Sequence, residues 1–456
     1  MKKKLLTMLL ASVMVVSSLA ACGGNDASST TNNAGSTTTE TKKEEPKADN
    51  AGSSDEQITL RVADWEGDAI NEAMQWAFDN IFEKDHPNIQ VEIVPVPHND
   101  YGQGINAMLT AGEAPDVFQF GYDQAKGNFD KGVLFDWTEK AAEESEFVEG
   151  FYGGTMSGWT TPDGKIYGFP SLVNVYGVFY NKDILDAANI EYPSNDWTWD
   201  DFYAMGQKLA DPANNKYGIY ADPTMLSSAF GIATQGVAEG GQPFVDKIIG
   251  TSKVTADDKF VAAAEKVKAM IAEKTLIPTT YETTNMLSEF EAGNIGLLFY
   301  GQWEIDSLVR NCPDLNWGYA ATPRGSVQAS TFYDTVGWVA PKDTKYPEEC
   351  WELIKFMSTE MYASVLEKTP VAACAHIDSA DAFYDAITAQ GHEDAAEAIK
   401  VMMDTEAKTA TRYSDDWTND AGEVWNTEWD NFMNGSGTAD VIPGIVDAVN
   451  NVIANY

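Results

Sequence analysis

From residue 57 onward the apolar positions switch between two periods. Ile58, Leu60 and Val62 alternate with Thr59 and Arg61, the pattern of a half-buried strand. Asp64-Trp65-Glu66-Gly67-Asp68 interrupts the alternation and reads as a loop. Ile70, Ala73, Met74, Ala77, Phe78, Ile81 and Phe82 then recur at helical spacing, and the helix is predicted to stop before Pro87. Val91, Ile93 and Val94 form the next strand. Strand, helix and parallel strand make a right-handed βαβ unit. In such sheets ligands bind beyond the carboxyl ends of the strands, so the loop Asp64–Asp68 points at a site.

The same alternation of strand and helix continues down the chain. Phe260, Ala263, Ala264, Val267, Met270 and Ile271 mark a helix, and Ile295 to Tyr300 a buried strand. Trp338-Val339-Ala340 ends before Pro341, and Cys350, Leu353, Ile354 and Met357 share another helix face. Ile442, Ile445, Val446, Val449 and Ile453 suggest a closing helix. No internal repeat is visible, and the fold class is α/β.

The first 56 residues do not follow either period. Lys2, Lys3 and Lys4 precede an apolar run from Leu5 to Val16, followed by Leu19-Ala20-Ala21-Cys22. Basic, apolar and small residues in that order read as a secretory signal over residues 1–21, too short for the roughly 20 residues of a membrane span. The small residues before Cys22 resemble the bacterial lipobox, in which the Cys thiol is acylated. Residues 22–56, the lipidated Cys and a Ser/Thr/Asn/Gly/Ala/Lys/Glu stretch, cannot bury enough apolar surface to order themselves. They read as a disordered tether that spans on the order of 30 Å as a flexible coil. The expected location is the outer face of a bacterial cell membrane.

Charge narrows the partners. The formal charge is −40, and −43 once the three signal lysines are removed. So acidic a surface argues against nucleic acid and against anionic membrane contact beyond the lipid. Besides Cys22 there are Cys312, Cys350 and Cys374, too few for a disulfide scaffold and better read as small buried apolar residues. His86, His98, His376 and His392 show no metal-ligand spacing, so neither metal nor cofactor is expected. Gly102-x-Gly104-x-x-Ala107 fits a dinucleotide fingerprint, but a lone match is weak and nicotinamide cofactors are scarce outside the cell. A G-x-S-x-G nucleophile elbow is absent.

Five stretches in order carry a resemblance: MLTAGEAPDVFQF (Met108 to Phe120), DGKIYGFPSLVNVYGVFYNKDIL (Asp163 to Leu185), WTWDDFYAMGQKL (Trp197 to Leu209), FEAGNIGLLFYGQW (Phe290 to Trp303) and TVGWVAPKDTKYPEECWELIKFM (Thr335 to Met357). Together they resemble the family 1 extracellular solute-binding proteins, the group that contains maltose-binding protein. The resemblance implies a two-lobed periplasmic-binding-protein-like fold, with a cleft between lobes joined by crossing strands. Lobe 1 would comprise residues 57–171 and 324–369, and lobe 2 residues 172–323 and 370–456. The crossings would fall near Leu172 to Tyr176, Ala320 to Pro323 and Thr369 to Ala373. It further implies a monomer that captures a carbohydrate, an oligosaccharide by preference, and delivers it to an ABC transporter permease without catalysis.

A sugar offers C–H faces to aromatic rings and hydroxyls to carboxylates and amides. By position in the resemblance, Trp303 is the cleft-facing Trp after a buried strand, Asp64 and Glu66 the polar loop after the first strand, Asp123 a polar contact and Phe120 an aromatic one. Asn174 sits in the first crossing, where maltose-binding protein carries a carboxylate. Trp65 lies between the two acids of that loop, and Trp338 and Trp417 are further aromatic candidates, with Tyr122 and Arg412 behind them. Two rival functions are an exported glycoside hydrolase, for which two of the many Asp and Glu residues would suffice, and a lipid-anchored surface protein with no small ligand.

Overall fold

A computed structural model describes residues 57–456 apart from 95, 97–99, 406, 411–416 and 436. The signal, Cys22, the tether and Arg412 lie outside the described residues. Among the described residues ten strands follow in chain order: β1 (Ile58–Ala63), β2 (Ile89–Ile93), β3 (Val117–Gly121), β4 (Phe169–Asn181), β5 (Tyr220–Ala221), β6 (Leu297–Gly301), β7 (Trp317–Ala320), β8 (Thr331–Val339), β9 (Ala373–Cys374) and β10 (Lys408–Ala410).

The opening βαβ unit forms as its periodicity predicts. β1 pairs parallel with β2, Leu60 opposite Val91, and parallel with β3, Val62 opposite Val117. Leu60 and Val62 are buried while Thr59 is exposed, so one face of β1 meets the core. The helix runs from Asp68 to Ala77, and its last turns, Phe78–Phe82, widen into a π-helix. The other predicted faces also pack inward: Cys350, Leu353, Ile354 and Met357 on the helix Pro347–Ser358, and Ile442, Ile445, Val449 and Ile453 on the helix Ile442–Ile453. Cys312, Cys350 and Cys374 are unpaired thiols. No helix among the described residues is long and apolar enough to cross a membrane.

β4 organises the rest. It is 13 residues long and buried along its whole length except at Asn174, which is half-buried. Such a run has no period of two because both of its faces are covered. Its first part, through Val175, lies antiparallel to β8, which in turn pairs with β3. From Tyr176 to Tyr180 it lies antiparallel to β6 instead, and β6 pairs parallel with β5. β4 thus changes partners between Val175 and Tyr176, at the end of the expected first crossing, and joins the β1–β3 strands to the β5–β6 strands. β7 flanks its second half, and β9 touches it at Leu172 and Val173.

Candidate ligand-binding cleft

The ends of four strands, from both sides of this junction, meet at one cavity of about 560 Å³. Trp65 and Glu66 follow β1, Gly121 and Asp123 close β3, Asp222 and Thr224 follow β5, and Tyr300 and Trp303 close β6. These are the carboxyl ends of two parallel-paired sets of strands, where α/β sheets bind ligands. The β4–β8 pair supplies the remaining wall, chiefly Asn174, Tyr176 and Asp334.

On the β1 side the acids are layered. Asp64 is buried and does not line the cavity; one of its oxygens accepts the Glu66 backbone N–H at 2.8 Å. The Asn71 amide, turned to donate, reaches both Asp64 oxygens at 3.0 Å. Glu66 keeps some surface on the cavity although protein crowds its carboxylate, and Gln119 Nε2 donates to it at 3.2 Å. Burial pushes Asp64 up to about 6. Burial, reinforced by the charge of Asp64, pushes Glu66 up to about 7.

On the β6 side the dominant group is an indole. Trp303 is half-buried, with Tyr176 and Tyr300 meeting it edge-on at centroid distances of 5.3 and 5.4 Å. Its ring lies back over Gly301, where a Cβ would sit 2.0 Å from the indole. On the facing wall, Trp65 packs edge-on against Tyr101 at 5.5 Å. Where β4 changes partners, Asn174 Nδ2 donates to one Asp334 oxygen at 2.7 Å and the Tyr176 hydroxyl donates to the other. Asp222 is held in a turn by the backbone N–H and hydroxyl of Thr224, at 2.8 and 2.6 Å. Partly exposed rings beside fixed carboxylates form a surface that stacks on a flat apolar face and accepts hydrogen bonds from its edge.

Asp123 and Thr224 are shared with a second chamber of about 490 Å³. Its wall includes Trp425 and Trp429 of the helix Thr418–Asn434, stacked at 4.6 Å. Trp429 Nε1 donates to the Ser227 carbonyl at 2.7 Å, which locks that ring in place.

The sequence profile described as "Bacterial extracellular solute-binding protein" matches residues 63–364. The chain belongs to that family. Among relatives of this solute-binding protein, a putative ABC transporter periplasmic-binding protein, YcjN of Escherichia coli (strain K12), is 28% identical over 282 residues, 60% of this chain and 63% of that protein. The match thus spans a little under two thirds of that relative's length. An arabinooligosaccharide-binding protein of Bacillus subtilis (strain 168) is 23% identical over 321 residues, 67% of this chain and 70% of that protein. Among solved structures, an ABC substrate-binding protein of Listeria monocytogenes in complex with cycloalternan superposes with a TM-score of 0.69. It is 21% identical and covers 88% of this chain and 100% of its own. The two-lobed α/β fold expected from the motifs is the fold this solute-binding protein has.

Of the residues singled out from sequence, the structure brings Trp65, Glu66, Asp123, Asn174 and Trp303 to the first chamber. Asp64 stands behind Glu66 and orients it. Three aromatic candidates are buried and line neither chamber. Phe120 packs edge-on against Phe118 and Tyr101 at 5.2 and 6.4 Å, inside the sheet. Trp338 lies past Val336, the last β8 residue on the cavity, and is fully buried where β8 runs between Gln119 of β3 and Phe169 of β4. Trp417 is buried just before its helix, and Thr418 beside it reaches the second chamber instead. Tyr122 is also buried. Sequence reasoning missed Tyr176, Asp222, Tyr300 and Asp334, and the Trp425–Trp429 pair. Only that pair had a local signal, since a spacing of four places both indoles on one helix face.

Proposed function

We propose that this solute-binding protein captures an oligosaccharide outside the cell and passes it to the permease of an ABC importer, binding without turnover. The observation that carries this reading is the convergence of Trp65 and Trp303 with Glu66, Asn174, Asp222 and Asp334 on one cavity. Indoles suit sugar faces, and the fixed carboxylates and amide suit hydroxyls. The relatives' names add support: an arabinooligosaccharide-binding protein and a structure holding cycloalternan. Residues 57–171 with 324–369 form one lobe in this reading and 172–323 with 370–456 the other, closing on ligand about β4. The protein acts as a monomer, tethered by an acylated Cys22 to the outer face of the membrane.

A thermal-shift screen over oligosaccharides tests the reading. A ligand at 100 times its Kd should stabilise the protein by about 2.7 kcal/mol, shrink its radius of gyration in small-angle scattering, and be recovered uncleaved. Release of products would make the protein a hydrolase, and absence of any carbohydrate ligand would defeat the proposal. For the anchor, Cys22→Ala should lose membrane association or remain unprocessed; unchanged fractionation would remove the lipid from the account.

A further inference from the structure

Glu66 meets the first chamber with a second carboxylate, Asp64, at its back. The two acids are not held alike. Asp64 accepts the Glu66 backbone N–H at 2.8 Å, and the turned Asn71 amide reaches both of its oxygens at 3.0 Å. Donors on both oxygens favour the ionised form of Asp64. Glu66 is held through its carboxylate by a side-chain amide, Gln119 Nε2 at 3.2 Å. Gln119 is fully buried, and its Oε1 has no hydrogen-bond partner among the described residues. An amide so placed serves a carboxyl group in both of its states. From Nε2 it donates to the carboxylate, and turned by half a rotation it accepts through Oε1 from the carboxylic O–H.

The titratable groups facing Glu66 from the elements around it act in one direction. They are Asp64 on its own loop, Tyr101 on the helix Tyr101–Ala111, Tyr362 on the helix Glu360–Leu366 and Asp306 on the helix Glu304–Asn311. Burial holds both phenols well above their ordinary value, so they stay neutral. Asp306 is engaged by Arg310, whose Nε lies 3.0 Å from both of its oxygens. Asp123, Asp222 and Asp334 line the same cavity. Two adjacent carboxylates in a crowded site resist being charged together and share a proton. With Asp64 tied down by its donors, that proton resides on Glu66, and burial with the charge of Asp64 accordingly lifts Glu66 to about 7, above Asp64 at about 6.

A sugar hydroxyl reverses that balance, because an O–H donated to a carboxylate makes a stronger hydrogen bond than one shared with a neutral acid. We propose, on the oligosaccharide reading, that Glu66 exchanges its proton for a glycan hydroxyl, so that capture of an uncharged glycan releases a proton and tightens as pH rises. The carboxylic proton of Glu66 passes to solvent, Gln119 keeps hold of the resulting carboxylate, and the glycan donates its O–H to the same carboxylate. No bond of the glycan breaks. If the glycan prefers the ionised form by about tenfold, the affinity should be about fivefold higher at pH 8 than at pH 6.

Calorimetric titrations of the full protein with maltotetraose, arabinotriose and cycloalternan test it, at pH 6 and pH 8 and in buffers of different ionisation enthalpy. A different uncharged glycan returned by the thermal-shift screen takes their place if none of the three binds. Near pH 6.5 the buffer dependence should show about half a proton released per glycan bound. In Glu66→Gln, which keeps an amide beside Gln119, both the proton release and the rise in affinity with pH should disappear. Glu304, also raised to about 7 by burial, does not line the cavity, so Glu304→Gln should keep both. Apo Tm at the two pH values shows that weaker binding at pH 6 is not loss of fold. A glycan that binds with flat affinity and no proton release overturns the inference and leaves the oligosaccharide reading standing. So does a pH dependence that survives in Glu66→Gln or vanishes in Glu304→Gln. Absence of binding by any carbohydrate overturns that reading and this inference together.

Discussion

The two facing walls of the cleft present their ligand-side groups by different physics. On the wall that follows β1 and β3, Glu66 rests on buried Asp64 and on Gln119, and burial raises both acids. On the wall that closes β5 and β6, Trp303 is wedged between the edges of Tyr176 and Tyr300 and folded over Gly301. The first wall holds charge at a cost in folding free energy and responds to pH. The second presents its indole through packing rather than charge. A ligand bridging the walls therefore meets an electrostatic face and a stacking face, and separate substitutions can weaken each.

The largest expected effect is on the stacking wall. Truncating a buried interfacial Trp typically costs about 2 kcal/mol or more, roughly a thirtyfold loss of affinity. Trp303→Ala should weaken oligosaccharide binding by about that factor and reduce the ligand-induced change in tryptophan emission. Because the ring is only half-buried, the apo protein should lose less than the about 3–5 kcal/mol of a core Trp. Apo Tm and affinity measured together decide the point: a large stability loss with intact affinity would make Trp303 a core residue.

A subtler change tests whether the indole's position matters as much as its presence. In Gly301→Ala the new Cβ would fall 2.0 Å from the ring, so the indole must rotate off the strand end. The displaced atoms belong to a side chain, so the fold should survive. The cost of moving the ring off its rotamer is about 1 kcal/mol, a roughly fivefold loss of affinity. Gly121→Ala is the matching change on the other wall, where the Cβ would meet Asp123 Oδ1 at 2.4 Å. A carboxylate swings aside more readily than an indole, so titrations should show the smaller loss for Gly121→Ala. Equal losses would mean that the walls are not distinguished by packing.

The contrast between the walls also marks what the sequence made legible. The β1 unit could be read because one face is solvated, so its alternation shows in Ile58 to Val62 and the loop after it is plainly polar. Trp303 could be placed because a buried strand and a turn precede it. The partner change on β4 could not be read, since a strand covered on both faces has no period. Nor could the bond between Asn174 and Asp334, which lie 160 residues apart and meet only through the β4–β8 register. Trp338 shows a related ambiguity. A Trp beside a glycine near a strand's end reads alike as platform or core from sequence, and the structure has Trp338 fully buried.

In the apo protein the effect on the acidic wall is read in stability rather than in affinity, and its sign is fixed by linkage. Glu66 rises from an ordinary 4.5 to about 7 and Asp64 from 3.8 to about 6, chiefly through burial. The folded protein therefore holds these protons more tightly than the unfolded chain. Their contribution to stability is fully present below the unfolded values and is lost as pH rises through about 6 to 7. Glu304, 7% exposed and likewise raised to about 7 by burial, acts in the same direction. Carboxylates whose values are lowered, such as Asp201 and Asp246, release their protons below this window and leave it undisturbed. Apo Tm should consequently be a few degrees higher at pH 5 than at pH 7.5, about 1–3 kcal/mol in stability. Glu66→Gln removes one titrating group while leaving an amide beside Gln119, so the rise between those two pH values should be smaller in the variant. Thermal melts of both proteins across the range check it. A wild-type Tm that falls on acidification, or a rise unchanged in Glu66→Gln, would show that the acidic wall does not hold its protons, and the electrostatic half of the comparison would fail.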